Sequence, residues 1–294
     1  MDAKKVDKMA TVVFYIISIF IVGLLGAFIA YILYKGGNMI KPSFLFGKPK
    51  LTGAGGGIGP QLFNSFYMLI VSLIITVPIG IGAGIYLAEY AKEGKFLNII
   101  RMSLETISSL PSIVIGMFGL LVFVNMAGWG YSILAGAISV SILNIPSMTR
   151  ISENAIKAAS KKVKEASLGL GASKWQTISK LTVPTAMSEI LTGIILSAGR
   201  IFGEAAAFLY TAGLSSGALN FNQISLVGNK SAFSLFRPAE TLAVHIWKLN
   251  SEGIVVDAAR IANGTAAVLI IAVLLFNILA RLIGNRLMKS YGGK

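Results

Sequence analysis

Residues 10–34 carry no charged side chain and are bracketed by Lys8 and Lys35. A hydrocarbon core of about 30 Å is crossed by about 20 apolar residues at a rise of about 1.5 Å each, so this run is long enough to span a bilayer as a helix. It is longer than the apolar core of a signal peptide and has no convincing cleavage site, so it is expected to remain as the first span. Four further uncharged or nearly uncharged runs qualify, and one of them divides in two. Residues 51–88 are uncharged, but the glycines from Gly53 to Gly59 break helices, which places the second span at about 62–87. Its Pro78, Gly80, Gly82 and Gly84 predict a kinked, closely packed helix. Residues 106–149 hold two spans, 107–124 and 131–146, if the stretch from Asn125 to Gly130 turns between them. Spans five and six are expected at 190–210 and 261–281.

Composition agrees with a membrane protein: 55% of the 294 residues are hydrophobic, 13% are charged and mean hydropathy is +0.76. The absence of cysteine excludes disulfides, thiolate metal sites and a cysteine nucleophile. A single histidine, His245, argues against a histidine-rich metal centre. The net charge of +14 is scattered between apolar runs, which speaks for anionic lipid, acidic partners or an anionic substrate rather than nucleic acid.

Six spans put both termini on one side. The loops on that side hold 17 Lys and Arg residues and those on the other side 8, so the positive-inside rule makes the termini cytoplasmic. The cytoplasmic loop 150–189 is long and rich in helix formers. In the external loop 210–260, Pro238 opens a possible short helix through Leu249, either interfacial or packed back into the bundle. External Lys35, Lys41, Lys48 and Lys50 have no acidic residue among them, which suits an anion, an acidic binding protein or lipid headgroups.

The cytoplasmic loop predicts a compact element: a helix through Glu165 and Ala166, a turn at Gly171, and a second helix from Ser173 to Leu181, carrying Trp175 and stopped by Pro184. Glu165, Ala166, Gly171, Leu181 and Pro184 resemble, in register, the EAA loop of bacterial ABC importer permeases. Ser167 stands for the second alanine and Val183 for the usual leucine. In that family the loop docks in a cleft of the ATP-hydrolysing subunit.

Within span five, Arg200 and Glu204 are four apart and are expected to share a face and pair. Charge inside a membrane is costly, which marks both as functional candidates, with a packing ion pair as the plainer reading. The stretch from Arg200 through Gly203 and Glu204 to Ala212 resembles the R-x-x-G-E-T-A-P segment of PstA-type phosphate importer permeases, with Ala205 for threonine and Ala207 for proline. The segments at 80–90, 110–119 and 277–281 extend the likeness over roughly residues 60–285. In the second of these, Pro111 is placed to open a helix at Ser112 whose free amides face an anion, or else to kink it.

No G-x-x-x-x-G-K-[ST] motif is present, so ATP is not held here by a P-loop. The G-x-S-x-G match at Ser215 is preceded by no strand, which leaves a serine hydrolase as a remote alternative. The expectation is therefore a single all-α domain, residues 1–294, with six transmembrane helices and a cytoplasmic helical coupling loop. The resemblance implies a non-catalytic permease subunit of a phosphate importer in a prokaryotic inner membrane, with a permease for another oxyanion or small solute as the alternative. It further implies a second related permease, an ATP-binding subunit dimer that carries ATP and Mg, and an extracytoplasmic phosphate-binding protein. This chain itself is expected to hold no cofactor and no metal.

Overall fold

The computed structural model describes residues 3–50, 55–217, 219–228, 231–252 and 256–291, and its described elements are all helical. Besides short helical turns at Gly37–Met39 and Pro42–Leu45, they are α1 (Ala3–Gly36), α2 (Gly59–Tyr90), α3 (Lys95–Ser109), α4 (Ser112–Met126), α5 (Ile133–Gly169), α6 (Lys174–Gly203), α7 (Ala206–Thr211), α8 (Leu242–Glu252) and α9 (Ala258–Tyr291). Among the described residues, five helices are long and apolar enough to cross a membrane, and a sixth span appears if α3 and α4, bent by 96°, count as one. We call the end of the bundle that carries the α5–α6 turn the hairpin end and the opposite one the loop end.

Burial orders the helices. The apolar window of α5 is 67% buried and that of α1 is not buried at all, so α5 is central and α1 peripheral. Small residues let α2 lie against α5: a Cβ on Gly80 would stand 2.5 Å from Met148 Cγ, and one on Gly84 would overlap Ser152, whereas Gly82 faces open space. Such close backbone approach gains dispersion contacts where lipid offers no hydrophobic driving force between helices. One apolar cluster gathers Met68, Leu69, Ile133, Val140, Phe202 and Phe208. A smaller one at the hairpin end joins Met148, Ile156, Ala186 and Ile190.

Five expectations need correction. The third span is not 107–124: the chain bends at Leu110 and Pro111, because a residue ahead of proline is driven to extended backbone, here φ −66°, ψ 137°. The coupling loop is no loop over its first half, since α5 runs on unbroken to Gly169. Pro184 does not stop the second loop helix. A π-turn over Ile178–Thr182 widens the ladder just ahead of the ring, and α6 continues to Gly203. Span five ends there, because Glu204 is extended (φ −70°, ψ 130°) and α7 starts afresh. The short helix expected from Pro238 begins after Thr241, whose hydroxyl accepts from Val244 N, and it packs back into the bundle with Leu242, Val244 and His245 buried.

Candidate functional site

At the hairpin end, α5 and α6 meet in a turn whose geometry follows from three residues. Gly171 has φ +83°, a conformation that costs a side chain steric strain. Ser173 then caps α6: its Oγ accepts from Gln176 N while its own N–H donates to Gln176 Oε1 at 2.8 Å. The apex exposes Leu170 (90%) and Trp175 (63%); Glu165 and Ala166, earlier on α5, and Pro184, further along α6, are exposed as well. The exposed indole and leucyl chain make the tip of the hairpin an apolar protrusion.

The hairpin is tied to α2 by Glu89, which lies in the segment 80–90 of the family likeness but has no role assigned there. The buried carboxylate of Glu89 receives Lys164 Nζ at 2.7 Å, its backbone carbonyl accepts from Lys174 Nζ, and that ammonium lies 4.6 Å from the Tyr90 ring centroid. Lys164 belongs to α5 and Lys174 to α6, so one residue of α2 grips both arms. The usable signal was an acid at the end of an apolar helix facing a lysine-rich segment. Nearby, Glu153 receives Arg101 at 2.6 Å and Lys157 at 2.7 Å, which fastens α3 to α5.

Deeper in the bundle two helix breaks lie side by side. A Cβ on Gly116 of α4 would touch Ala207 Cα of α7 at 3.0 Å, and one on Gly119 would meet Thr211. The two helices therefore run parallel where they touch. Pro111 and Ser112 open α4, Glu204 stands ahead of α7, and Arg200 lies in the last turn of α6. The expected ion pair is not formed: Glu204 has left the helix, and its Oε1 accepts from Ala207 N at 3.1 Å, capping α7. Arg200 is exposed and has no carboxylate partner among the described residues.

The loop end holds a buried polar network that sequence reasoning missed. Glu240 receives Gln61 Nε2 at 2.9 Å and lies 2.9 Å from His245 Nδ1. Asn64 accepts from Arg237 at 2.8 Å through Oδ1 and donates to Ser216 Oγ at 2.6 Å. Burial pushes the Arg237 guanidinium down to about 10, against the opposing influence of Tyr67, which leaves it charged at neutral pH. His245 is turned to Glu240, and neither Ser215 nor Ser216 bonds to it among the described residues, so the nucleophile and base of a hydrolase are not assembled.

Known proteins share this architecture. The fold is similar to that in a structure of the inward-facing MetNI methionine ABC transporter, with a TM-score of 0.59 at 17% identity over 79% of this chain and 94% of that one. It is likewise similar to that of a bacterial ABC transporter involved in the import of the acidic polysaccharide alginate, with a TM-score of 0.61 at 15% identity over 97% of each chain. In sequence, the chain is 48% identical over 290 residues, 99% of both proteins, to the "Probable ABC transporter permease protein YqgI" of Bacillus subtilis (strain 168). It is 34% identical over 239 residues to the "Phosphate transport system permease protein PstA" of Yersinia pestis, covering 80% of this chain and 75% of that one. Residues 80–291 match the family described as binding-protein-dependent transport system inner membrane component, which spans the hairpin and both helix breaks, and the chain belongs to that family.

Proposed function

We propose that this chain is the permease subunit of an ATP-driven phosphate importer and forms half of its translocation path. The observation that carries the reading is Arg200: an exposed guanidinium without a carboxylate partner among the described residues, in the last turn of α6 just ahead of the break to α7. A planar, permanently charged fork offers phosphate two parallel N–H donors. The likeness to phosphate permeases points to the same substrate.

In this reading the excess of Lys and Arg makes the hairpin end and both termini cytoplasmic. Leu170 and Trp175 dock with an ATP-binding subunit dimer that holds ATP and Mg, while Glu89 passes the motion of the hairpin to α2. A second, related permease completes the path on the exposed face that carries Arg200, and a phosphate-binding protein delivers the anion at the loop end. The test is uptake of labelled phosphate, molybdate and sulfate by the reconstituted complex. Phosphate is expected to be taken up at least tenfold faster than the other two; a preference for either would assign the path to that oxyanion instead.

A further inference from the structure

Two cavities share a wall at the loop end. The larger, about 740 Å³, has apolar sides from Leu62, Phe63, Phe66, Leu219, Phe221 and Leu249. Its one bordering carboxylate, Glu240, is already bonded to Gln61 and His245. The smaller, about 540 Å³, is bordered by Lys41, Lys48, Lys50 and Arg260 and by no carboxylate among the described residues. Lys48 and Lys50 border both spaces. The wall between them is pinned: Gly57 N donates to Lys48 O at 2.9 Å, Ile58 N to Phe44 O at 2.8 Å and Gly59 N to Gly47 O at 2.9 Å. Asp257, in the same turn as Arg260, accepts from Gly55 N at 3.1 Å.

Three helix ends independently fix the depth of this place. The uncharged run of α1 ends at Tyr34, and Lys41 follows within a few residues. Arg260 immediately precedes the apolar run of α9, and Gly59 and Pro60 precede that of α2. The cationic cavity therefore lies at headgroup level, and Leu62, Phe63 and Phe66, on the first turns of α2, lie at the depth where acyl chains begin.

We infer that the two cavities together form a binding site for an anionic phospholipid. Its phosphodiester sits among Lys41, Lys48, Lys50 and Arg260, and one acyl chain enters the apolar cavity. Free inorganic phosphate shares the charge and would use the smaller cavity alone, leaving the larger one without a role. The inference rests on the membrane placement proposed above and is independent of the substrate.

The test uses the full chain purified in a maltoside detergent, with binding read by native mass spectrometry. Dioleoyl phosphatidylglycerol is expected to bind at least tenfold more tightly than phosphatidylcholine with the same chains. Joint replacement of three exposed residues, Lys48→Gln, Lys50→Gln and Arg260→Gln, is expected to abolish that tenfold difference at an unchanged melting temperature. Leu219→Trp, which fills the apolar cavity and keeps every charge, is expected to weaken phosphatidylglycerol binding by a similar factor. Equal binding of the two lipids by the unaltered chain would overturn the site, and so would full phosphatidylglycerol binding by the triple variant. Displacement of the lipid by millimolar inorganic phosphate would reassign the cationic cavity to the free anion. Since the readout involves no transport, any of these failures leaves the permease reading standing.

Discussion

Glu89 and Lys164, 75 residues apart in sequence, meet at 2.7 Å where the end of α2 reaches the last turns of α5. The carboxylate is 2% exposed and the ammonium 37%, so the acid is fixed by its surroundings while the base can turn to water. Removing one partner of a fully buried pair costs about 3–5 kcal/mol, and this half-open pair costs well below that. Glu89→Gln is therefore expected to leave a folded, assembled permease in which the α5 arm of the hairpin loses its ion pair to α2 while the backbone contact to Lys174 remains, so the hairpin's motion is passed on poorly. ATP hydrolysed per phosphate imported should rise at least tenfold. An unchanged ratio, measured in proteoliposomes, would remove Glu89 from the coupling path.

The turn at Gly171 separates two explanations for a glycine. A Cβ there would meet nothing within 4 Å, so only the backbone angle of +83° resists substitution. Asparagine tolerates that region and β-branched residues do not. Gly171→Asn should transport near the unaltered level, while Gly171→Val, costing about 1–2 kcal/mol of local strain, should lose uptake at equal membrane abundance. Equal uptake by the two variants would show that the turn geometry is irrelevant to coupling.

Packing between α2 and α5 makes a contrasting prediction about glycines on one helix. Gly84 abuts Ser152 and Glu153, whereas Gly82 has no neighbour within 4 Å. Gly84→Ala should lower stability by about 1–3 kcal/mol through overpacking, and Gly82→Ala should be neutral or mildly stabilising. Thermal unfolding in detergent checks the ordering. A smaller loss for Gly84→Ala would mean the helices can separate freely.

How much of this was legible depended on where each signal resided. Spans were readable because uncharged runs of membrane length are a local property, and Gly171 was readable as a turn between helix formers. The end of α6 at Gly203 was not, because Arg200, Gly203 and Glu204 look like a continuing helix until the backbone turns at Glu204. The expected Arg200 and Glu204 pair failed for that reason alone. The network of Gln61, Glu240 and His245 was hidden for another: its partners are up to 179 residues apart and carry no spacing rule. Residue exposure was equally invisible. Ser160 and Ser231, natural choices for a labelling experiment in a cysteine-free chain, are both buried.

Sidedness is therefore better tested at Ser43 and Ser179, which are exposed at opposite ends of the bundle. With the hairpin end cytoplasmic, Ser43→Cys should react with an impermeant maleimide in intact cells, and Ser179→Cys only after permeabilisation. Labelling of Ser179→Cys in intact cells would invert the orientation.

The role of Arg200 is now more sharply testable because Glu204 is not its partner. Glu204 accepts from Ala207 N and so caps α7, a task that a glutamine carbonyl can also perform. Glu204→Gln should retain assembly and most uptake. Arg200→Gln should abolish uptake while the complex still assembles, since the exposed side chain holds no packing contact with a carboxylate. Arg200→Lys should recover little, because a point charge lacks the paired donors of the fork. Combining Arg200→Glu with Glu204→Arg would rescue a packing ion pair, which is roughly indifferent to direction. Here it should rescue nothing, because the reversal removes the cation from the path and the cap from α7 at once. Recovery of phosphate uptake in that double variant would show that the two residues do pair in the working complex, and Arg200 would then be a packing residue rather than part of the anion path.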